Sequence, residues 1–246
     1  MSRKNILCVG DIHARPEMSN RRATILGRFI KDKQPDIVWL AGDVGDFGSL
    51  CSYDKGTLHA EGRRYSKDLE CVSDFLHLLH YEIKSMRKFP QLEVAIGNHE
   101  DRITRASIMS PELYGSIGLE DIPFEHFGWN VTPFLRPRVL QGITFQHYFT
   151  RGQLGRAIDD ERTVLRSQHT SCVYGHNHRF QRYCELNGHK KKIFSLGVGC
   201  FDEGLHHYTR EQERWDRGLV MLYEAQHGYA SPAWWDLDYL KRKYLS

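Results

Sequence analysis

Residues 36–46 read Asp-Ile-Val-Trp-Leu-Ala-Gly-Asp-Val-Gly-Asp. An unbroken apolar run that ends on Gly42-Asp43 reads as a buried strand delivering carboxylates, Asp43 and Asp46, into the loop that follows it. The arrangement recurs along the chain. ILCVG precedes Asp11-Ile12-His13, LEVAIG precedes Asn98-His99-Glu100-Asp101, ITFQ precedes His147, and SCVYG precedes His176-Asn177-His178. Hard-to-intermediate metal donors supplied at the ends of hydrophobic strands are what a rigid catalytic metal site requires.

Between the first of these strands the periodicity changes from continuous to helical. A strand over 5–10 is followed by a helix over about 19–33, with Ile25, Leu26, Phe29 and Ile30 on one face, closed by Pro35. A second helix over about 66–88 carries Leu69, Val72, Phe75, Leu76, Leu79, Ile83 and Met86, ends before Pro90, and leads into a strand over 92–96. This βαβαβ order implies parallel strands with helical crossovers. Helical pieces are expected around 103–119. The second half is strand-rich, over 138–147, 171–175, 180–186, 191–200 and 217–224, with Asn187-Gly188 as a hairpin turn. The polar, Gly-rich stretch from 47 to about 65, with its extension to about 75, reads as an insertion suited to substrate recognition. Neither repeat nor linker interrupts the chain, so one domain is expected over 1–246.

Composition sets the class. An apolar fraction of 40% and a charged fraction of 26% are those of an ordinary globular protein. A net charge of +3 is too small to argue for nucleic acid by itself. The six cysteines are scattered without a CxxC pair, which fits buried thiols in a reducing compartment. The apolar run after MSRKN is too short for a signal peptide and no run reaches membrane-spanning length, so a cytoplasmic protein is expected.

The motif residues match the demands of phosphoester hydrolysis. The reaction needs a hydroxide nucleophile at neutral pH and neutralisation of charge developing on phosphorus; two divalent ions about 3.5–4 Å apart supply both. Ions that close need an anionic bridge, for which Asp43 is the natural candidate. Extended geometry would place His176 and His178 on one side of a strand, each able to take its own metal, and would let Asp11 and His13 share one ion.

With DIH at 11–13, GDVGD at 42–46, GNHED at 97–101, His147 and GHNH at 175–178, the chain resembles the calcineurin-like metallophosphoesterases over residues 11–178. The resemblance implies a four-layer αββα sandwich of two mixed β-sheets flanked by helices. It implies that Asp11, His13, Asp43 and His178 hold one metal and that Asp43, Asn98, His147 and His176 hold the other. His99 would then act on the leaving-group oxygen rather than on a metal, and Asp46 would orient it. The expected cofactors are two divalent ions, Mn2+ first, with Fe, Zn, Ni, Co or Mg able to bind the same N/O donors. The expected reaction is attack of a metal-bridging hydroxide on a phosphoester, more specifically a phosphodiester. The related phosphoprotein phosphatases carry Arg after the second Asp of GDxxD and a single final His. Here the positions are Phe47 and the pair His176/His178, which point to the phosphodiesterase and nuclease branches. The GNHEDR run is similar to bacterial and phage-encoded members. A DNA or RNA nuclease using the same two metals is the alternative, and a non-catalytic metal-binding scaffold is the alternative of another class. The expected partner is a phosphoester, with nucleotide or nucleic acid among the choices; nothing points to a membrane or fixes an oligomeric state.

Other residues have plainer readings. His77 and His80 share a helix face without a carboxylate partner, and His206-His207 lie in a loop within reach of the cleft. Glu100 and Asp101 read as helix-start or supporting residues. Lys190–Lys192 and Lys241–Lys243 read as solvated charge, and Trp234 and Trp235 as packing of the C-terminal segment onto the core. Among Arg15, Arg102 and Arg151, near the motifs in sequence, at least one is expected to contact phosphate.

Overall fold

In the computed structural model, which describes residues 2–204, 206 and 212–245, β1 (Lys4–Val9), β2 (Ile37–Leu40) and β3 (Gln91–Ala95) pair in parallel. They are joined through α1 (Arg21–Lys33) and α2 (Tyr65–Ile83). A short β4 (Asn130–Thr132) adds a fourth parallel strand beyond β3. A second sheet is built from β5 (Arg138–Leu140), β6 (Ile143–Phe145), β9 (Cys172–Tyr174), β10 (Phe180–Leu186) and β11 (Lys192–Val198). Its spatial order is β10-β11-β9-β6-β5, with β6, β9 and β11 parallel and the two edges antiparallel. β12 (Gly218–Gln226) and β13 (Tyr229–Asp236) return antiparallel to the first sheet, beside β1. A two-stranded hairpin, β7 (Thr150–Arg151) with β8 (Arg156–Ala157), stands apart.

The alternation within β2 shows why the layers form. Side chains of a strand point alternately to opposite faces. Val38 and Leu40 enter a core shared with Leu26, Phe29 and Ile30 of α1, Phe75, Leu76 and Leu79 of α2 and Leu240 of α5 (Leu237–Tyr244). Ile37 and Trp39 enter a second core, between the sheets, with Phe145, Val173, Phe194, Leu196 and Val198. The outer face of the second sheet is covered by Val164 and Leu165 of α4 (Glu161–Gln168), packed on Cys172, Tyr174 and Ile193. Helices, sheet, sheet and helix therefore lie in four layers, the architecture the resemblance implies.

Several boundaries differ from the sequence reading. The helix expected over 66–88 ends at Ile83, because Met86 turns back through a bond from its N–H to Ile83 O and Pro90 forbids continuation. The strand expected over 138–147 is a tight hairpin: Gln141 (φ 52°) and Gly142 (φ 79°) are both left-handed, so chain direction reverses inside the apolar run. The turn after β10 is wider than Asn187-Gly188. Asn187 N–H donates to Lys191 O, its side-chain oxygen accepts from His189 and Lys191, and Lys190 (φ 58°) takes the left-handed position. The helical stretch near 103–119 is one helix, α3 (Asp101–Met109), followed by single 3-10 turns. β4, β13, α4 and α5 have no counterpart in the sequence reading. Within β13, Trp234 stacks on Phe180 at 4.7 Å and Trp235 meets Phe29 edge-on at 5.2 Å, tying the C-terminal segment to both cores. No helix is long and apolar enough to cross a membrane.

Trp39 is fully buried between the sheets and edge-to-face with Phe145 at 5.0 Å. Trp39→Ala is expected to destabilise the fold by about 3–5 kcal/mol, seen as a lower urea midpoint. Trp39→Phe, which keeps an aromatic ring and removes an indole N–H that has no acceptor among the described residues, should lose much less; equal losses in the two variants would contradict this packing.

Candidate metal centre

Every motif segment sits at the C-terminal end of a parallel strand, β1, β2, β3, β6 or β9, on one edge of the two sheets. Backbone bonds lace these ends together. Ile12 and His13 donate to Asp43 O at 3.0 and 2.9 Å, Asp46 donates to Ala14 O at 3.0 Å, and Gly175 donates to His147 O at 2.9 Å. Two glycines permit the close approach. A β-carbon at Gly97 would lie 2.1 Å from Asp43 Oδ1, and one at Gly175 would lie 2.4 Å from Asp11 Oδ1, so neither loop could close on its carboxylate with any other residue.

The loops are not extended. His13, Asp43, His176 and His178 have φ of 49°, 48°, 68° and 56°, and Asn177 N–H turns back to Gly175 O. The strand-like spacing expected for 176 and 178 is replaced by consecutive tight turns. Convergence comes from left-handed backbone held by the surrounding bonds, a conformation that costs energy for residues other than glycine.

Three groups of donors gather, each with all its atoms within 4.8 Å of one another: Asp11, His13 and His178; Asp43, His147 and His176; and His13, Asp46 and His99. Asn98 joins the second group, its Oδ1 2.9 Å from His147 Nε2. All nine residues singled out in the sequence thus meet at one edge. His178 Nε2 lies 2.9 Å from Asp11 Oδ2 and 3.3 Å from His13 Nε2. His147 Nε2 lies 3.3 Å from Asp43 Oδ2, while its Nδ1 donates to Ala41 O at 2.8 Å. That bond fixes the ring and leaves Nε2 as the face turned to the site. His99 Nδ1 is 3.0 Å from Asp46 Oδ1 and 2.8 Å from Asp46 O.

Electrostatics show what the pocket lacks. Asp11 and Asp43 are 0% and 1% exposed, yet among the described residues their ionic partners are only histidines. Burial disfavours the charge, but His147 and His99 hold Asp43 well below the usual carboxylate range. His178 and His147 act likewise on Asp11. Burial also works against the His147 cation, which Asp43 nevertheless raises to about 9. For His13 and His176 the balance reverses. Burial and neighbouring imidazoles hold His13 and His176 down to about 4, the neutral form that coordinates metal. Buried carboxylates whose ionic partners among the described residues are imidazoles, with neither Lys nor Arg, fit divalent cations as their counter-charge.

Glu100 does more than start a helix. It is fully buried; Oε2 accepts from Asp43 N at 2.9 Å and Gly97 N at 2.8 Å, and Oε1 accepts from Gly45 N at 2.9 Å. One carboxylate therefore clamps the loops after β2 and β3. Burial and the neighbouring Asp43 push its carboxyl up, and the N–H groups of Gly45 and Gly97 oppose that rise. A second clamp has no sequence signal. Fully buried Arg22 donates to Ile12 O and Phe201 O, both at 2.7 Å, and to Asp202 Oδ1 at 3.1 Å. Arg15 joins it on Asp202, and His206 pairs with Asp202 while its ring stands 5.0 Å from His13; His207 lies outside the described residues. Of the three arginines near the motifs, Arg102 faces the site, with one nitrogen 2.7 Å from Asp46 O and the other 3.3 Å from His99 Nε2. Arg151 is exposed on β7. His77 and His80 contact Phe127 and belong to no donor group among the described residues.

The family model for calcineurin-like phosphoesterases matches residues 4–218. Among solved structures, the chain aligns with Yfce, a phosphoesterase from E. coli, at 13% identity over 93% of this chain and 98% of that one, TM-score 0.38. It aligns with Pseudomonas putida nuclease MPE at 16% identity over 93% and 87%, TM-score 0.39. A conserved protein from Streptococcus pneumoniae TIGR4 aligns at 13% identity over 96% and 99%, TM-score 0.35. No curated protein matches the chain.

Glu100→Ala leaves three buried N–H donors without an acceptor, at about 1–3 kcal/mol for each. A loss of at least about 3 kcal/mol is expected in denaturant unfolding of the metal-free protein. An unchanged midpoint would show that the clamp does not hold the loops.

Proposed function

The chain belongs to the calcineurin-like phosphoesterase family and is a metal-dependent phosphoric ester hydrolase, and from that premise we propose that it is a dinuclear phosphodiesterase. The observation that carries this reading is the presence of two separate donor groups around buried carboxylates that have no Lys or Arg partner among the described residues. Asp11, His13 and His178 would hold one cation; Asn98, His147 and His176 would hold the other; Asp43 would bridge them. Bound there, divalent ions lower the pKa of water and offset charge developing on the phosphoryl oxygens.

The chain's own groups do the remaining work. His99 is fully buried except for 6% of its surface, and Asp43 and Asp46, outweighing burial, raise its pKa. A protonated imidazole is the form that donates a proton to a departing alkoxide. Asp46 holds Nδ1 of that ring, turning Nε2 toward the site. Arg102, beside His99 Nε2, brings a guanidinium to where a phosphoryl oxygen would lie. Phe47, fully buried in the position where phosphoprotein phosphatases carry Arg, cannot do this itself.

Mixed N/O donors suit Mn2+ and its neighbours in the transition series, and Mn2+ is the proposed ion. Six free thiols, three of them buried, fit a reducing, cytoplasmic setting. The whole of residues 1–246 would act as one catalytic domain. A small diester is favoured over a long polymer, because Arg63, Arg64 and Lys67 in the cavity beside Asp46 are matched there by Asp54, Glu61 and Asp68, leaving little net field for a polyanion.

Asp43→Ala and His176→Ala, assayed with Mn2+ on bis(p-nitrophenyl) phosphate, should abolish turnover; full activity in either would sink the reading. His99→Ala should retain two metals per chain by elemental analysis yet lose about 10²–10⁴-fold in kcat. Loss of metal in that variant would make His99 a ligand instead.

A further inference from the structure

A diester carries a group on each side of the scissile phosphorus, and two cavities flank the metal centre. Arg102 lines both. One, of about 500 Å3, opens beside Asp46 and Arg63. The other, of about 350 Å3, is lined by Tyr53, Asn98, Arg105, Phe134 and Tyr148 and differs in chemistry.

Tyr148 follows His147 directly, and its ring stands 4.6 Å from that of His176, 5.4 Å from that of His147 and 5.7 Å from that of Phe134. The wall of this smaller cavity is therefore continuous with the second donor group. The Tyr148 hydroxyl makes no hydrogen bond to any described residue. Tyr53, contributed by the insertion, is 90% exposed with no ring stacked on it among the described residues. Arg105 is fixed at the rim by Asn98 O at 2.8 Å and Asp101 at 3.0 Å.

The open ring of Tyr53 and the partly exposed ring of Tyr148, next to hydroxyl and guanidinium donors, suit a flat ring with a polar edge. A sugar alone would leave the ring faces bare, and an acyl chain would meet Arg, Asp and Asn. We infer that this cavity is a nucleobase subsite and that the diester cleaved is a small nucleotide phosphodiester, an inference that rests on the phosphodiesterase reading. Tyr53 and Tyr148 offer the stacking surfaces, Phe134 backs Tyr148, and Arg102 positions the phosphate at the boundary between the two cavities.

The test compares adenosine 5′-monophosphate with ribose 5-phosphate, which differ only in the base, by calorimetry on the full chain loaded with Mn2+. Stacking predicts that the nucleotide binds at least about tenfold more tightly. Tyr53→Ala, at a position too exposed to affect folding, and Tyr148→Ala should each shrink that ratio, and together bring it below threefold. Equal affinities in the unaltered protein, or a ratio that survives both substitutions, would overturn the subsite. Hydrolysis of bis(p-nitrophenyl) phosphate by the same preparation separates the two claims. Turnover without a base preference defeats the subsite alone, whereas a base preference without turnover supports the subsite and defeats the phosphodiesterase reading.

Discussion

Burial of the Asp43 carboxylate is the constraint from which the rest of this edge follows. A charged oxygen pair at 1% exposure is tolerated only where other groups meet it. One oxygen accepts the His99 N–H at 2.8 Å and the other faces His147. The backbone around it is fixed from behind, since Glu100 takes the Asp43 N–H and Gly97 has no β-carbon to displace the carboxylate. These contacts draw on the loops after β2, β3 and β6. A shift in any of the three would move the same carboxylate, so the accuracy of the site is a property of the sheet edge and not of a single loop.

Such an arrangement trades stability for chemistry. Left-handed φ at four non-glycine site residues, buried acids clustered together and a fully buried Arg22 would each weaken an ordinary core. The offsetting order lies in the apolar layers, where β2 alone feeds two cores with alternate side chains. Arg22 and Asp202 couple the loop after β1 to the one after β11. The worth of that buried pair is therefore in fixing geometry, since replacing such pairs by apolar residues is often neutral for stability.

Much of this was legible in the sequence because apolar strands and polar strand ends are read from neighbouring residues. The run 37–41 followed by Gly42-Asp43 identifies both a strand and a delivered donor without knowledge of the partner loops. What escaped reading depends on residues distant in sequence. Glu100 looks like any acidic residue at a helix start until Gly45 is seen to donate to it across the site. Arg22 looks like a polar position of α1, and its partners Phe201 and Asp202 lie at the far end of the chain. β13 is masked by Pro232 and by alternation that is only half buried, as befits a sheet edge. The turns at 176 and 178 are hidden because neither position is a glycine, and the Asp11 carboxylate that accepts His176 N–H at 3.0 Å lies 165 residues away in the chain.

Two cations are expected to share Asp43. Anomalous diffraction from crystals grown with Mn2+ tests it most directly. Two peaks about 3.5–4 Å apart are expected, one beside Asp11, His13 and His178, the other beside Asn98, His147 and His176, with the Asp43 carboxylate between them. A single peak, or a second one held by Asp46 and His99 in place of Asp43, would contradict it.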